Sequence, residues 1–260
     1  MHTADDFEII DIHTHPFLDF ENGCIGPYGK PENMAEFHKE MKKVGIDRYA
    51  GAPLVKHHVT DYSEIRKINE DALRIRDEFP SYIPGIQIHG DFPEESIADL
   101  TRYYHEEGVR YIGELVPYIM NTGVFNTPGM IQILKEAGKL GMVVNFHEGN
   151  RETVVPVLEN CPGLKVILAH PGEPWGHSQS RFAFVAEYEN LYMDTSGYGL
   201  FRWNMLRYAI DVCGAEKLLF GSDMPTCSAG MYLYGVLSEN LTDEEFRLVL
   251  AGNFKRLIGE

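Results

Sequence analysis

Basic residues are scarce in this sequence. Of 260 residues, 23 are lysine or arginine and 39 are aspartate or glutamate, which gives a net charge of -16. Surfaces that bind nucleic acid rely on clustered lysine and arginine, so this balance argues against a nucleic-acid partner. It also disfavours binding to anionic membranes and favours solubility.

Long apolar runs and paired cysteines are also missing. No apolar stretch approaches the roughly 20 residues of a membrane span, and the first residues, MHTADDFEIIDIH, lack the basic start and apolar run of a signal peptide. The four cysteines form no CxxC pair, which is typical of thiols in a reducing compartment. We therefore expect a cytoplasmic protein with no membrane partner.

Short apolar segments alternate with amphipathic stretches, as in a parallel sheet wrapped by helices. The segments are 7–13, 47–54, 82–90, 109–115, 142–148, 164–170, 191–196 and 217–223. Eight strands in about 250 residues are typical of a TIM barrel. No linker divides the chain, so we predict an α/β fold with one (β/α)8 TIM-barrel domain over 1–260. A doubly wound open sheet is the structural alternative.

The segments between the strands carry helix signals. Apolar residues recur at three- and four-residue steps over 63–79. Thr127 before Pro128 predicts an N-cap followed by proline at the first helical position. Thr242 with Glu245 forms the capping-box pattern of a last helix.

Ionisable residues gather at the carboxyl ends of the predicted strands. They are Asp11, His13 and His15 (first), Glu114 (fourth), His147 (fifth), His170 (sixth) and Asp223 (eighth). In a barrel these ends converge on the face where active sites are built. Their burial would be costly unless they paired with one another or with cations.

The strongest local signal is His13-Thr14-His15. Residues two apart in a strand face the same side, so both imidazoles can point into the barrel mouth. Imidazole with carboxylate suits zinc, manganese, iron, nickel or cobalt better than magnesium or calcium. Asp11 is expected to orient one of the imidazoles.

His147 and His170 each end an apolar strand and precede a turn. A single histidine there is more often structural than a ligand, but two in the same register of successive strands favour metal ligands. For Asp223, the alternative interpretation is that its carboxylate caps the final helix. Beside four histidines it is better interpreted as a residue that binds metal and accepts a proton.

These residues together resemble the amidohydrolase superfamily, in particular its amidohydrolase-2 branch, which includes aminocarboxymuconate semialdehyde decarboxylase. The matching fragments are IDIHTH (10–15), FHEG (146–149), LAHPG (168–172), LYMDTSG (191–197), LLFGSDMP (218–225) and GNFKRLIG (252–259). The resemblance implies a distorted (β/α)8 barrel. It also implies that His13, His15, His147 and Asp223 are metal ligands.

Two catalytic residues are implied in the same way. His170 would polarise the substrate or bind a second metal, and Asp223 would shuttle the proton of metal-bound water. YIGEL at 111–115 resembles the IGE segment of TatD-like metal-dependent hydrolases, in which a glutamate bridges two metals. Glu114 is therefore expected to be a metal ligand, with a role in contacting substrate or another ligand as the alternative.

The expected function is metal-dependent hydrolysis of a small amide, ester, lactone or phosphoester. One or two divalent ions, zinc before manganese, iron, nickel or cobalt, would lower the pKa of water from near 16 to about 7. The alternatives are non-oxidative decarboxylation of a small aromatic or unsaturated acid, and a metal-binding or regulatory barrel without turnover.

The substrate is expected to be a small molecule, and a second copy of the chain is a candidate partner in a homo-oligomer. Tyr118, Trp175 and Tyr198 follow strand ends and could wall the pocket, although aromatic residues there are as often loop anchors. Arg151, four residues beyond His147, could hold a substrate carboxylate by a bidentate contact. The alternative is a solvent-exposed arginine at a helix start.

Overall fold

The sheet is built from eight parallel strands. The computed structural model describes residues 2–23, 25–147, 150–172, 175–198 and 202–260, with only the backbone of Trp175. Within them, each strand pairs with the next in chain order. The strands are β1 (Ile10–Asp11), β2 (Arg48–Gly51), β3 (Tyr82–Ile86), β4 (Tyr111–Leu115), β5 (Val143–Phe146), β6 (Lys165–Leu168), β7 (Leu191–Asp194) and β8 (Leu218–Leu219).

Backbone hydrogen bonds also join the segments that follow the last and the first strand. The amide nitrogen of Ile12 donates to the carbonyl oxygen of Phe220 at 2.9 Å, and that of Asp223 donates to the carbonyl of His13 at 2.8 Å. The sheet is therefore closed. The predicted TIM barrel is confirmed, and the open sheet is wrong because its two edge strands would not be bonded to each other.

Helices follow the strands in alternation. They are α1 (Met34–Lys43), α2 (Tyr62–Glu78), α3 (Pro93–Glu106), α4 (Pro117–Met120), α5 (Pro128–Lys139), α6 (Arg151–Asn160), α7 (Trp175–Glu187), α8 (Met205–Cys213), α9 (Ala229–Leu237), α10 (Asp243–Arg247) and α11 (Asn253–Ile258). Short 3-10 segments lie at Ala4–Asp6 and Ala215–Lys217, and a π-helical turn at Leu248–Gly252. Among the described residues, none of these helices combines the length and apolar character needed to cross a membrane.

The helix-start predictions are confirmed with one difference. The capping box of Thr242 and Glu245 opens α10. α5 begins at Pro128 after Thr127 in an extended conformation, but the Thr127 hydroxyl makes no cap bond. It donates instead to the carbonyl of Val124 at 2.9 Å.

Two apolar layers hold the barrel together. One cluster joins Ile10, Ala50, Val143 and Ile167 from different strands to Phe254 of α11. Side chains from separate strands can meet in this way only inside the barrel. The alternate residues of the same strands pack against the helices in a second cluster. The barrel interior is therefore apolar where Phe254 reaches it.

The strands are shorter than predicted at their carboxyl ends. β1 stops at Asp11 and β8 at Leu219, whereas the apolar pattern extends them to 13 and 223. Asp223 has a left-handed backbone with φ of 68°, which cannot continue a strand. Apart from Glu114, which lies within β4, the predicted metal ligands thus lie in the segments after the strands, where the backbone can turn their side chains toward one another.

Asp11 ties β1 to the segment after β8. Its fully buried carboxylate accepts hydrogen bonds from the backbone nitrogens of Ser222 at 3.0 Å and His13 at 3.1 Å, and from the Ser222 hydroxyl. The prediction that Asp11 orients an imidazole is wrong, because its hydrogen bonds go to backbone amides and this hydroxyl. Asp11 stabilises the closure of the barrel.

Replacing Ser222 with alanine removes a donor from this buried carboxylate. We expect Ser222→Ala to lower the free energy of unfolding of the metal-free protein by about 1–3 kcal/mol, measured by urea denaturation. Ser238→Ala is the control, since the exposed Ser238 hydroxyl bonds only a carbonyl of its own helix, and its effect should stay within about 0.5 kcal/mol. Equal effects in the two variants would contradict the role assigned to Asp11.

Candidate metal centre

Glu114 of β4 lies at the centre of the cluster. Its Oε2 atom is 3.4 Å from Nε2 of both His13 and His15. Its Oε1 atom is 2.8 Å from Nδ1 of His147 and 3.4 Å from Nε2 of His170. Because the barrel is closed, side chains that follow β1, β5 and β6 all reach one buried carboxylate.

Asp223 completes the group from the segment after β8. Its Oδ1 atom is 3.2 Å from Nε2 of His15 and 3.9 Å from Nε2 of His13. The left-handed backbone of Asp223 and the bond from its amide to His13 place it beside the two β1 histidines. All six residues predicted as metal ligands are therefore brought together.

These residues form two potential ligand sets. His13, His15 and Asp223 have ligand atoms within 4.8 Å of one another, and so do Glu114, His147 and His170. We call them the first and the second ligand set. Because the two Glu114 oxygens face different sets, this carboxylate stands between them.

The charges of the site are strongly coupled. Burial would lower the pKa of the His13 imidazole, but the carboxylates of Glu114 and Asp194 raise it well above its usual value. The pKa of His15 is shifted in the same direction. Burial would lower it, but the hydrogen bonds to Asp223 and Glu114 raise it to about 9. Burial would raise the pKa of Glu114, and the surrounding histidines instead hold it well below its usual range. The buried carboxylates thus require positive charge next to them.

The residues fit a divalent cation. The Nε2 atom of His13 is buried and has no hydrogen-bond partner among the described residues. A buried polar atom left in this state is costly, and a metal ion would satisfy it. The two ligand sets each combine imidazole with carboxylate, which matches the preferences of zinc, manganese, iron or cobalt.

Sequence reasoning missed two further residues of the site. The fully buried Asp194 at the end of β7 has its Oδ2 atom 2.8 Å from Nδ1 of His13. The Ser196 hydroxyl lies 2.9 Å from Nδ1 of both His13 and His170. Burial would raise the pKa of Asp194, but the adjacent charge and bond of His13 lower it. The D-x-S spacing that begins at the end of β7 was the usable signal, because no ligand had been predicted at that strand end.

A cavity of about 680 Å³ opens beside His147 and His170. Arg151 and the largely exposed Tyr198 line it. Both terminal nitrogens of Arg151 are bound by the Glu187 carboxylate, at 3.0 and 2.6 Å. The predicted carboxylate clamp is thus occupied by a protein carboxylate in this structure.

Of the other two predicted substrate contacts, Tyr118 and Trp175, only Tyr118 has a described side chain, and it does not line this cavity. The exposed Tyr118 ring is 5.1 Å from the ring of His147 and lines a neighbouring cavity of about 320 Å³. The Trp175 side chain lies outside the described residues.

Solved structures of similar fold include three decarboxylases. The 2,6-dihydroxybenzoate decarboxylase from Rhizobium is 17% identical with a TM-score of 0.73, covering 97% of this chain and 99% of that one. The 5-carboxyvanillate decarboxylase from Sphingomonas paucimobilis is 16% identical with a TM-score of 0.74 and the same coverage. A dihydroxybenzoic acid decarboxylase from a Polaromonas species, with bound manganese and 2-nitroresorcinol, is 16% identical with a TM-score of 0.71, covering 97% of each chain.

The family is shown by sequence. No curated protein sequence matches the chain significantly. The amidohydrolase family model, however, matches residues 10–259, which include every strand and every ligand of the two sets. The chain therefore belongs to the amidohydrolase family, within the amidohydrolase superfamily.

Proposed function

We propose that this protein is a metal-dependent hydrolase that uses two divalent ions to cleave a small amide, ester, lactone or phosphoester. The position of the Glu114 carboxylate between the two ligand sets supports this most directly. A second ion chiefly helps to activate water and to stabilise the oxygens that enter and leave. With a single ion, Glu114 would instead contact substrate or another ligand.

Divalent ions held by these residues would supply Lewis acidity and lower the pKa of water. Zinc is the expected ion, and manganese is the alternative because two structures of similar fold contain it. His13, His15 and Asp223 would hold one ion, and Glu114, His147 and His170 the other. The described cavity lies beside His147 and His170, so substrate would approach the second ligand set.

Asp223 is the proposed proton carrier. Its side chain is only slightly exposed and its carboxylate faces His15 at 3.2 Å. It would accept a proton from the attacking water and return it to the leaving group, while the acyl or phosphoryl bond breaks. His170 is held at Nδ1 by Ser196, which leaves its Nε2 atom for the second ligand set.

Decarboxylation is the second candidate, and a specific observation favours it. The solved structures of similar fold named above are decarboxylases of dihydroxybenzoate and carboxyvanillate. By comparison alone this activity is favoured over hydrolysis, although identities of 16–17% establish only the fold. For this chain, decarboxylation would mean cleavage of a carbon–carboxylate bond, with Asp223 or a histidine giving a proton to the carbon.

The two-ion proposal predicts a stepwise metal content. Wild-type protein loaded with zinc should retain about two equivalents, and Glu114→Gln about one, because the neutral amide cannot serve two ions. Metal analysis after desalting measures this. Glu187→Gln, which removes an exposed carboxylate bound to Arg151, is the control and should retain two. One equivalent in both wild type and Glu114→Gln would refute the bridging role and leave decarboxylation ahead.

The proton-carrier role predicts a loss of turnover larger than the loss of metal. Asp223→Asn should lower kcat by about a hundredfold or more, because an amide occupies the same space but carries no proton. Turnover and metal content are measured on the same preparation. A kcat within about tenfold of wild type would remove the role, and complete loss of metal would make Asp223 chiefly a ligand.

The reaction class is tested with matched substrate panels. Nitrophenyl esters, lactones and phosphodiesters are compared with hydroxybenzoates in water enriched in heavy oxygen. Hydrolysis places the heavy oxygen in the acid product and releases no carbon dioxide. Release of carbon dioxide from a hydroxybenzoate, with no hydrolysis of the other panel, would establish the second candidate instead.

A further inference from the structure

Asp194 has no coordination capacity left for an ion. Its carboxylate accepts hydrogen bonds from the side chain of Asn145 at 2.9 Å, Nδ1 of His13 at 2.8 Å, the backbone nitrogens of His170 at 3.1 Å and Ser196 at 3.0 Å, and the Ser196 hydroxyl. A carboxylate offers about four lone-pair sites. Although Asp194 lies close enough to His13 and His170 to form a third ligand group, its oxygens are already used by protein donors.

The Ser196 hydroxyl links one histidine from each ligand set. Its hydrogen is donated to Asp194, so its lone pairs face the Nδ1 atoms of His13 and His170, each at 2.9 Å. Both imidazoles then carry their hydrogen on Nδ1, and the hydrogen of His13 is shared between the Ser196 hydroxyl and Oδ2 of Asp194. A neutral ring with Nδ1–H has its free lone pair on Nε2.

The Nε2 atoms of these rings point at the metal centre. Each lies 3.4 Å from an oxygen of Glu114, His13 toward Oε2 and His170 toward Oε1. The bonds made at Nδ1 therefore prepare the opposite nitrogen of each ring for an ion. His13 serves the first ligand set and His170 the second.

The turn that carries Ser196 is shaped around one of these rings. Gly197 has φ of 62°, and a Cβ atom there would lie 2.2 Å from Nδ1 of His170. No side chain larger than hydrogen fits between this backbone and the imidazole. Residues 194–197 thus combine the contacts to both rings with the space that one of them needs.

We propose that Asp194 and Ser196 are positioning residues that fix the Nδ1–H form of His13 and His170 and thereby couple ion binding at the two ligand sets. This inference rests on the metal centre of the proposed function but not on its reaction class. Removing the Ser196 hydroxyl should therefore weaken both ions together rather than only one.

Zinc affinity of the purified protein tests the proposal. Competition with a chelator should show that Ser196→Ala weakens each of the two ions by about 10–100-fold, as expected when a residue that orients a ligand is lost. Thr195→Val is the matched control, since Thr195 is equally buried but its hydroxyl bonds Gly221 and not an imidazole. Its zinc affinity should stay close to that of wild type.

The hydrogen positions are tested on wild-type protein, so the result does not depend on whether a variant folds. Long-range proton–nitrogen NMR of zinc-loaded protein should show the hydrogen of His13 and His170 on Nδ1. Asp194→Asn should shift His13 toward the Nε2–H form, because the amide can place a donor against Nδ1. Wild-type protein with the hydrogen of either ring on Nε2 would overturn the proposal.

The remaining outcomes separate this inference from the proposed function. Wild-type protein that binds no divalent ion would overturn both. Two bound ions, with equal affinities in wild type, Ser196→Ala and Thr195→Val, would overturn the positioning role alone. Weakening confined to one ion would overturn the coupling.

Discussion

The burial of three carboxylates in one small volume is the constraint on which the rest of the site depends. Glu114, Asp194 and Asp223 are at most 9% exposed, and isolated charges at such depth are costly. Protonated imidazoles compensate this negative charge, because the carboxylates raise the pKa of His13 well above its usual value and that of His15 to about 9. The metal-free site therefore balances its charge with protons that a divalent cation would replace.

The closed barrel is what allows so much charge to gather in one place. The ligands come from segments after β1, β5, β6 and β8 and from β4 itself, and strands this far apart in sequence share one rim only in a closed sheet. The closure depends in turn on buried polar contacts, of which the tie between Asp11 and Ser222 is the most direct. Fold and site are thus stabilised by the same polar layer, above an apolar interior that reaches Phe254.

Much of this could be predicted from residue positions alone. His13, His15, Glu114 and His147 lie at apolar strand ends, and the rule that these ends converge places them together. Asp194 was missed because a lone carboxylate at the end of β7 carries no sign of its partners beyond the D-x-S spacing. The pairing of Arg151 with Glu187, 36 residues away, depends on how two helices pack, which periodicity does not encode. The predicted strands extend too far at their carboxyl ends, because an apolar pattern does not indicate where the backbone adopts a left-handed conformation.

Each of two rings faces an oxygen of the site with both of its nitrogens. His13 and His170 contact Glu114 through Nε2 and Ser196 through Nδ1, so one carboxylate and one hydroxyl each touch both ligand sets. With two ions, every one of these contacts would orient a ring toward an ion, whereas with one ion the contacts at His170 would orient it toward substrate in the cavity beside it. Whether Glu114, His147 and His170 hold an ion therefore bears on the choice between hydrolysis and decarboxylation, because a second ion chiefly helps to activate water. The double contact at His170 is the physical reason to expect that they do.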